Sequence, residues 1–284
     1  MLKEIPVSYS SERIRKILKE LVVLTYAEKE SKEVVEKMQQ FWFYFEVREG
    51  KIAGVYQSDI YRIIIKMFSR PAGHILICCI HELAHHVDFI IRNETKHDHT
   101  FYQVFHDLLI SAMRIDLITK EQLLAVDDTK DLENLQKRHG AIINWKVPAL
   151  NQTKRNVWIK CRSSIDKKEY LRKAKYQYSW FEKAWFKEVP SQFVQVEIDY
   201  LKRFFQDKDF QVETIGTITF SVMYYVSLRN GRIHRETLKQ RGYFYEAYDL
   251  GKFTWNKIIA ATDWPEEKAA LDKLIGLKAR VLLR

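Results

Sequence analysis

Apolar residues recur every three or four positions along much of the first half of the chain, which is the spacing of one face of an α-helix. This pattern predicts helices over residues 11–40, 72–92, 99–113 and 119–138. Residues 41–47 and 52–67 are instead rich in aromatic and β-branched residues, and turn residues divide the second stretch into strands 52–56 and 61–66. Because the helices and strands fall in separate blocks, the pattern predicts an α+β fold.

The second half of the chain contains an internal repeat. Residues 171–178 resemble residues 238–245, which lie 67 positions later in the chain. A strand-like segment precedes each copy, and a tryptophan follows it. In the first copy these are residues 157–161 and Trp185, and in the second they are residues 223–228 and Trp255. Self-similarity at this period predicts two copies of one unit, each composed of a strand, a helix, short strands and a second helix.

Helix-breaking and polar residues separate the two halves. Gly140, Pro148 and the polar run 151–155 fall between the last helix of the first half and the first strand of the repeat. We therefore predict a first domain over residues 1–145, repeat 1 over 156–210 and repeat 2 over 213–280. With 46% apolar and 30% charged residues, the composition is that of a core-forming protein and excludes a disordered or fibrous chain.

The net charge of +10 is confined to the second half. Residues 1–150 contain 21 basic and 21 acidic residues, whereas residues 151–284 contain 26 basic and 16 acidic ones. Aromatic residues alternate with the basic ones between residues 154 and 187. Basic side chains neutralise phosphates and flat aromatic rings stack on unpaired bases, so we expect this half to bind DNA, either single-stranded or damaged.

The basic residues expected to contact DNA come from both repeats. They are Lys154, Arg155, Lys160, Arg162, Lys173, Lys175, Arg229, Arg232, Lys239 and Arg241. Trp185 and Trp255 recur with the period of the repeat, which favours a role as core anchors over one in stacking on bases.

Cysteine usage and the N-terminus bear on the location of the protein. Three cysteines, of which Cys78 and Cys79 are adjacent, are too few for a disulfide framework and indicate reduced thiols. The N-terminal residues lack the apolar core of a secretory signal, and the most apolar run, residues 75–80, is only six residues long. We therefore expect no membrane partner and a cytoplasmic location, at the nucleoid if the source is bacterial.

The most specific chemical signal is His81-Glu82-x-x-His85, within a predicted helix. A separation of four residues puts both imidazoles on one face, where they can share a tetrahedral zinc ion. Glu82 is then placed to act as general base on a water in the open coordination position. Asp88 shares this face, and it either orients a ligand imidazole or is a surface carboxylate.

Such a zinc site needs a third protein ligand from later in the chain. The candidates are His97 and His99, with Glu94 and Asp98 as further possibilities. His86 is less suitable, because one residue further along a helix is about 100° around its axis.

The motif and its surroundings resemble the SprT-like metalloproteases. The resemblance covers roughly residues 10–115 and is carried by four segments, 54–56, 63–65, 81–88 and 97–101. It implies a zincin-like domain, with a small sheet and an HExxH helix, and a zinc peptidase that acts on DNA-associated proteins. It also implies that His97 is the third zinc ligand, with Phe101 as the aromatic residue four positions later. Asp98 occupies a position at which the family usually has glycine.

The resemblance further implies that the strand around residues 54–57 pairs with an extended protein substrate. The paired cysteines of the family's zinc ribbon are absent from the sequence, and the basic repeats occupy that place. The Leu-Lys…Gly-Tyr-x-Tyr…Trp pattern of the repeats resembles the HARP-type module of DNA-annealing helicases.

Two other functions are compatible with these features. One is a DNA-binding module in which the metal site is structural or vestigial. The other is an anti-restriction or mobile-element protein, since such proteins can join a similar peptidase to a single-strand binding domain, although in the opposite order. Our first hypothesis is a zinc-dependent endopeptidase with Zn²⁺ on His81, His85 and His97 and with Glu82 as general base.

Overall fold

The computed structural model describes residues 11–47, 52–126, 129–149, 156–162, 167–179, 184–213 and 222–283. It confirms the prediction of an α+β fold. The described helices are α1 (Ser11–Tyr26), α2 (Lys32–Met38), α3 (Ala72–Arg92), α4 (His99–Arg114), α5 (Lys120–Leu124), α6 (Thr129–His139), α7 (Lys168–Lys173), α8 (Val194–Lys202), α9 (Arg235–Gln240) and α10 (Trp264–Leu271).

The strands form three small sheets. Their bounds are β1 (Trp42–Phe45), β2 (Gly54–Gln57), β3 (Arg62–Ile65), β4 (Asn156–Cys161), β5 (Gln177–Ser179), β6 (Ala184–Pro190), β7 (Phe210–Glu213), β8 (Met223–Arg229), β9 (Phe244–Tyr245), β10 (Trp255–Ala260) and β11 (Lys278–Leu282). The strand orders are β1-β3-β2, β5-β6-β4-β7 and β11-β8-β10-β9.

Helix α3 is the central element of the first part of the chain. It begins after Pro71 and ends at Asn93, whose left-handed backbone (φ 58°) stops the helix. Its neighbours include α2, α4, α5 and the strands β2 and β3. Side chains on most of its surface are therefore buried, including the polar residues Glu82, His86 and Asp88.

By length and composition alone, α3 is the one described helix that could span a membrane. The six-residue apolar run 75–80 is therefore only part of a longer apolar helix, because apolar residues continue on both sides of His81 and Glu82. However, 67% of its most apolar window is buried inside the protein, which is the pattern of a core helix.

The helix bounds differ from the predicted ones where polar residues interrupt the apolar pattern. The predicted helix 11–40 is two helices, because a turn at residues 27–30 separates α1 from α2, whose N-cap is Ser31. The predicted helix 119–138 is likewise two helices, and Thr119 caps the first of them with a capping box. The predicted helix 72–92 coincides with α3.

The second and third sheets have the same topology. Each is built in the order strand, helix, strand, strand, helix, strand, and the first strand of each lies in the centre of its sheet. All strand pairs in both sheets are antiparallel. The final strand of each unit, β7 or β11, was not part of the predicted pattern.

Matching positions of the two sheets carry the same polar contact beneath the strands. In the second sheet the Nζ atom of Lys187 bonds Glu197 and lies 5.6 Å from the ring centre of Tyr176. In the third sheet Lys257 Nζ lies 3.0 Å from Glu267 Oε2 and 5.4 Å from the ring centre of Tyr243. Arg241 adds a second cation, since Nη2 donates to Glu267 Oε2 at 3.0 Å.

Two clusters of buried apolar side chains fill the described parts of the chain. The larger cluster runs through α1, α3 and α4 and continues into the third sheet, where Val226, Leu228 and Trp255 belong to it. The smaller cluster lies in the second sheet, around Ile159, Leu171 and Leu201. Trp255 is buried and Trp185 is partly buried against the smaller cluster, so both contribute to packing.

We predict that Glu267→Ala lowers the free energy of unfolding by about 2 kcal/mol, because it leaves Arg241 and Lys257 partly buried without their anion. Glu266→Ala, at the exposed neighbouring position, is the matched control and should change that free energy by less than about 0.5 kcal/mol. Urea denaturation measures both. Equal effects of the two substitutions would show that the buried carboxylate does not stabilise the sheet.

Candidate metal centre

Three imidazoles from two elements of the fold meet at one point. His81 and His85 lie one turn apart on α3, and His97 lies in the loop between α3 and α4. His81 Nε2 lies 3.2 Å from His85 Nε2 and 3.1 Å from His97 Nε2. One nitrogen of each ring lies within 4.8 Å of the others, so this cluster can hold a metal ion.

These separations fit a tetrahedral metal ion. With metal–nitrogen bonds of about 2.0–2.1 Å, two ligand nitrogens of a tetrahedron lie about 3.4 Å apart. The Nε2 separations of 3.2 Å between His81 and His85 and of 3.1 Å between His81 and His97 are close to that value. Three nitrogen ligands leave a fourth position of the tetrahedron for water or substrate.

Two of the rings have an oxygen partner on the side that faces away from the cluster. His81 Nδ1 lies 2.9 Å from Asp131 Oδ2, and His85 Nδ1 lies 2.8 Å from Thr95 Oγ1. When each Nδ1 carries the proton and donates it to its oxygen, both Nε2 lone pairs point into the cluster. Two lone pairs at 3.2 Å repel each other unless a cation lies between them, so this arrangement suits metal binding.

The surroundings also keep His85 neutral. Burial, and to a smaller extent the neighbouring His81 and His97, together lower the pKa of His85 to about 3. A neutral imidazole is the form that binds a metal ion.

Asp131 is the outer partner of the centre, and it comes from α6. Its other oxygen, Oδ1, accepts a hydrogen bond of 2.7 Å from the Tyr102 hydroxyl, which in turn accepts one of 3.0 Å from Asn134 Nδ2. Burial works against ionisation of this carboxyl, but the bonds from His81 and Tyr102 hold its pKa below the usual value. Asp131 is therefore an anion that stabilises positive charge on the His81 ring.

An ion-pair network centred on Arg92 holds the loop that carries His97. Arg92 Nε and Nη2 donate to both oxygens of Asp88 at 2.7 Å, and Nη1 and Nη2 donate to Asp98 at 2.6 and 2.9 Å. Asp98 also caps α4 by accepting from the backbone N–H groups of Thr100 and Phe101. Both ends of the loop are thereby fixed to α3 and α4.

Phe101 packs against all three histidines. Its ring centre lies 5.1 Å from that of His81, 4.3 Å from that of His85 and 4.7 Å from that of His97. Because Phe101 is fully buried on the first turn of α4, it leaves the imidazoles little freedom to turn away from one another.

Glu82 lies beside the cluster, beneath the edge of the first sheet. It is 6% exposed, and the backbone N–H of Tyr56 on β2 donates to its carboxylate. Burial raises the pKa of Glu82 to about 7, while the nearby His81 opposes that shift. A carboxyl group with this pKa can both accept and release a proton near neutral pH.

Gly54 allows β2 to pass directly over Glu82. A Cβ atom at this position would lie 2.8 Å from Glu82 Cγ and 2.9 Å from Cys78 Sγ, which is too close for any side chain. Only glycine therefore lets the strand and the Glu82 side chain approach as they do.

Several residues weighed in the sequence have other roles. His99 is the first residue of α4 and does not belong to the three-histidine cluster, and Glu94 pairs with Lys96. His86 is fully buried, with Nδ1 3.1 Å from the Tyr56 hydroxyl. Asp88 is neither a surface carboxylate nor a partner of a ligand imidazole, because it is fully buried and bonds Arg92. Sequence reasoning missed Asp131, since no local spacing connects α6 to His81.

The basic residues expected to contact DNA divide into two groups. Arg162, Lys173, Lys175, Arg229, Arg232 and Lys239 are exposed. Lys160 is not available in the same way, because its side chain is 11% exposed, lies 3.7 Å from Glu213 and contacts the ring of Phe186. Arg241 is held by Glu267. Lys154 and Arg155 lie outside the described residues.

No known family model, curated protein or solved structure matches this chain.

We predict that Asp131→Asn weakens the affinity of the three-histidine cluster for a divalent metal ion by 10- to 100-fold, because the amide no longer stabilises charge on His81. Titration with Co²⁺, followed by its visible absorption, measures this affinity. Glu133→Gln, an exposed residue on the same helix, is the matched control and should bind Co²⁺ as the unmodified protein does. Unchanged affinity of the Asp131 variant would contradict the role given to its carboxylate.

Proposed function

We propose that the protein is a zinc-dependent endopeptidase of the SprT-like type, with a zincin-like first domain. The observation that carries this proposal is the three-histidine cluster with Nε2 separations of 3.1–3.2 Å, adjacent to a buried carboxylate on the same helix. Three ligands and one open position are typical of catalytic zinc sites, whereas structural sites use four protein ligands.

Zinc is the metal that the donor set favours. Three neutral imidazoles in a tetrahedral arrangement suit Zn²⁺ and do not suit Mg²⁺ or Ca²⁺, which bind oxygen ligands. When bound, zinc supplies Lewis-acid activation of water and of a peptide carbonyl. His81, His85 and His97 would hold it, and Asp131 and Thr95 would orient the rings of His81 and His85.

Glu82 is the proposed general base. It follows His81 directly on α3, and its pKa of about 7 suits a group that takes a proton from the attacking water and then gives it to the leaving amine. The bond from the Tyr56 N–H holds the carboxylate in one orientation between these two transfers.

Strand β2 offers an edge for an extended substrate. It pairs with β3 on one side and forms the end of its sheet. The backbone N–H of Lys66 donates to Ala53 O, so the alternation of an antiparallel pair turns the polar backbone groups of Gly54 and the carbonyl of Tyr56 away from β3, while the Tyr56 N–H is already bonded to Glu82. A substrate strand added at this edge would run past Glu82 and the metal centre.

The basic repeats are the proposed means of recruitment to DNA, and DNA-associated proteins are the proposed substrates. The exposed cations Arg229 and Arg232 support this role, because they lie within four positions of each other, where β8 ends. Phe244, Tyr245 and Phe253 of the same repeat are 51–76% exposed, and such rings can stack on unpaired bases.

Zinc content and cleavage together test the peptidase. We predict that His97→Ala reduces bound zinc, measured by atomic absorption after dialysis, by at least 10-fold. His99→Ala is the matched control and should retain one zinc ion per chain, because His99 lies outside the cluster.

Glu82→Gln should also retain zinc but cleave an unstructured protein such as casein at least 100-fold more slowly.

A Glu82→Gln variant that cleaves as fast as the unmodified protein would overturn the assignment. Zinc bound by the unmodified protein without cleavage of any protein, with and without DNA, would instead favour a DNA-binding protein with a structural metal site.

We predict that Arg229→Ala combined with Arg232→Ala weakens binding to a single-stranded oligonucleotide and reduces the magnitude of the slope of log K against log salt by about 1.4, which is about 0.7 for each lost phosphate contact. Fluorescence anisotropy at several salt concentrations measures the slope. Lys32→Ala is the control, since this side chain is 92% exposed on α2 in the first part of the chain. If Lys32→Ala changed the slope as much as the double variant does, the repeats would not be the DNA-binding surface.

A further inference from the structure

A cavity of about 460 Å³ opens beside the metal centre. His81, Glu82 and Asp131 line it, and it extends between α3, the start of β2 and α6. It is much larger than a water molecule needs, so it can receive a side chain of a bound peptide.

The cavity follows one face of α3 away from the metal centre. Cys78 and His74 line it, and they precede Glu82 by four and eight residues. At a rise of 1.5 Å per residue, His74 lies about 10 Å along the helix from His81. A side chain that enters beside the metal centre must therefore be long to reach His74.

Hydrogen-bond donors mark this far region. His74 is buried, and among the described residues its Nδ1 has no hydrogen-bond partner. Arg70 precedes α3, is partly buried and also lines the cavity. It forms no ion pair with any carboxylate that the structure describes.

The walls between the two ends of the cavity are apolar. Ile77, Leu123 and Leu135 are at most 5% exposed and line it. The two acidic residues that line the cavity in the described part, Glu82 and Asp131, lie at the metal end, where Asp131 is already bonded to His81. A second cation, Lys130, lies next to Asp131 on α6 and also lines the cavity. An anionic group at the far end would meet Arg70 rather than the carboxylates.

We propose that this cavity is a specificity pocket for a glutamate side chain of the substrate, next to the bond that is cleaved. Its aliphatic stem would lie against the apolar walls, and its carboxylate would bind the guanidinium of Arg70, whose long side chain lines the same cavity. This inference rests on the proposed function, because the pocket selects a substrate only if the adjacent centre cleaves peptides.

The test uses two series of fluorogenic peptides, one for each residue that flanks the cleaved bond. Within a series that residue is Glu, Gln, Leu or Lys, and the rest of the peptide is unchanged. We expect kcat/KM of the zinc-loaded protein to be at least 10-fold higher for Glu than for Gln, because a charge-assisted bond replaces a neutral one. Arg70→Leu should remove this preference, Arg70→Glu should reverse it in favour of Lys, and Arg70→Lys should keep it. Lys16→Leu, an exposed cation on α1, is the control and should leave the preference intact.

A binding measurement separates failure of the pocket from failure of the peptidase. The zinc-loaded Glu82→Gln variant should bind the Glu peptide at least 10-fold more tightly than the Gln peptide in an anisotropy assay, and addition of Arg70→Leu should abolish the difference. Cleavage without any preference for Glu would overturn the pocket and leave the proposed function standing. Absence of cleavage together with equal binding of both peptides would overturn both.

Discussion

The three-histidine cluster depends on the ion pairs of Arg92. Two of the three histidines lie on α3, where helix geometry alone brings them together, but His97 lies in a loop that needs an external restraint. Arg92 supplies it by bonding the buried Asp88 on its own helix and Asp98 at the start of α4. Arg92 bonds both oxygens of each carboxylate, which fixes the direction of each ion pair as well as its length. The loop of residues 93–98 is therefore held at both ends, which keeps His97 next to His81 and His85.

This restraint explains why several polar residues can lie inside the apolar core of the first part of the chain. A buried polar group destabilises a fold unless it is paired. Here each of these groups has a partner, either in the core around α3 or at the three-histidine cluster. Asp88 has its cation, Asp131 has His81 and Tyr102, and Glu82 has the N–H of Tyr56. The partners of these buried groups come from α3, α4, α6 and β2.

Local sequence patterns predicted His81 and His85, which lie within one helix. They did not predict pairs of residues that lie far apart in the sequence. The spacing of His81 and His85, the extent of α3 and the α+β class follow from periodicity, because these features are decided within a few residues. His97 was selected over His99 by resemblance, and the cluster contains His97. Asp131 lies 50 positions from His81, and Lys160 lies 53 positions from Glu213, so no window of sequence joins them. Charge counts consequently treated Lys160 and Arg241 as free cations, although the fold uses both to pair with carboxylates.

In the second and third sheets, some of the basic side chains form ion pairs within the protein. In both, a lysine on the third strand bonds a glutamate on the following helix beneath a tyrosine ring. These cations are paired within their own sheet, whereas others, such as Lys173 and Arg229, are exposed. The third sheet also shares the apolar cluster of α3 and α4. Under the proposed function, a DNA strand bound on that sheet would therefore be held at a fixed orientation to the metal centre, because both belong to one packed apolar core.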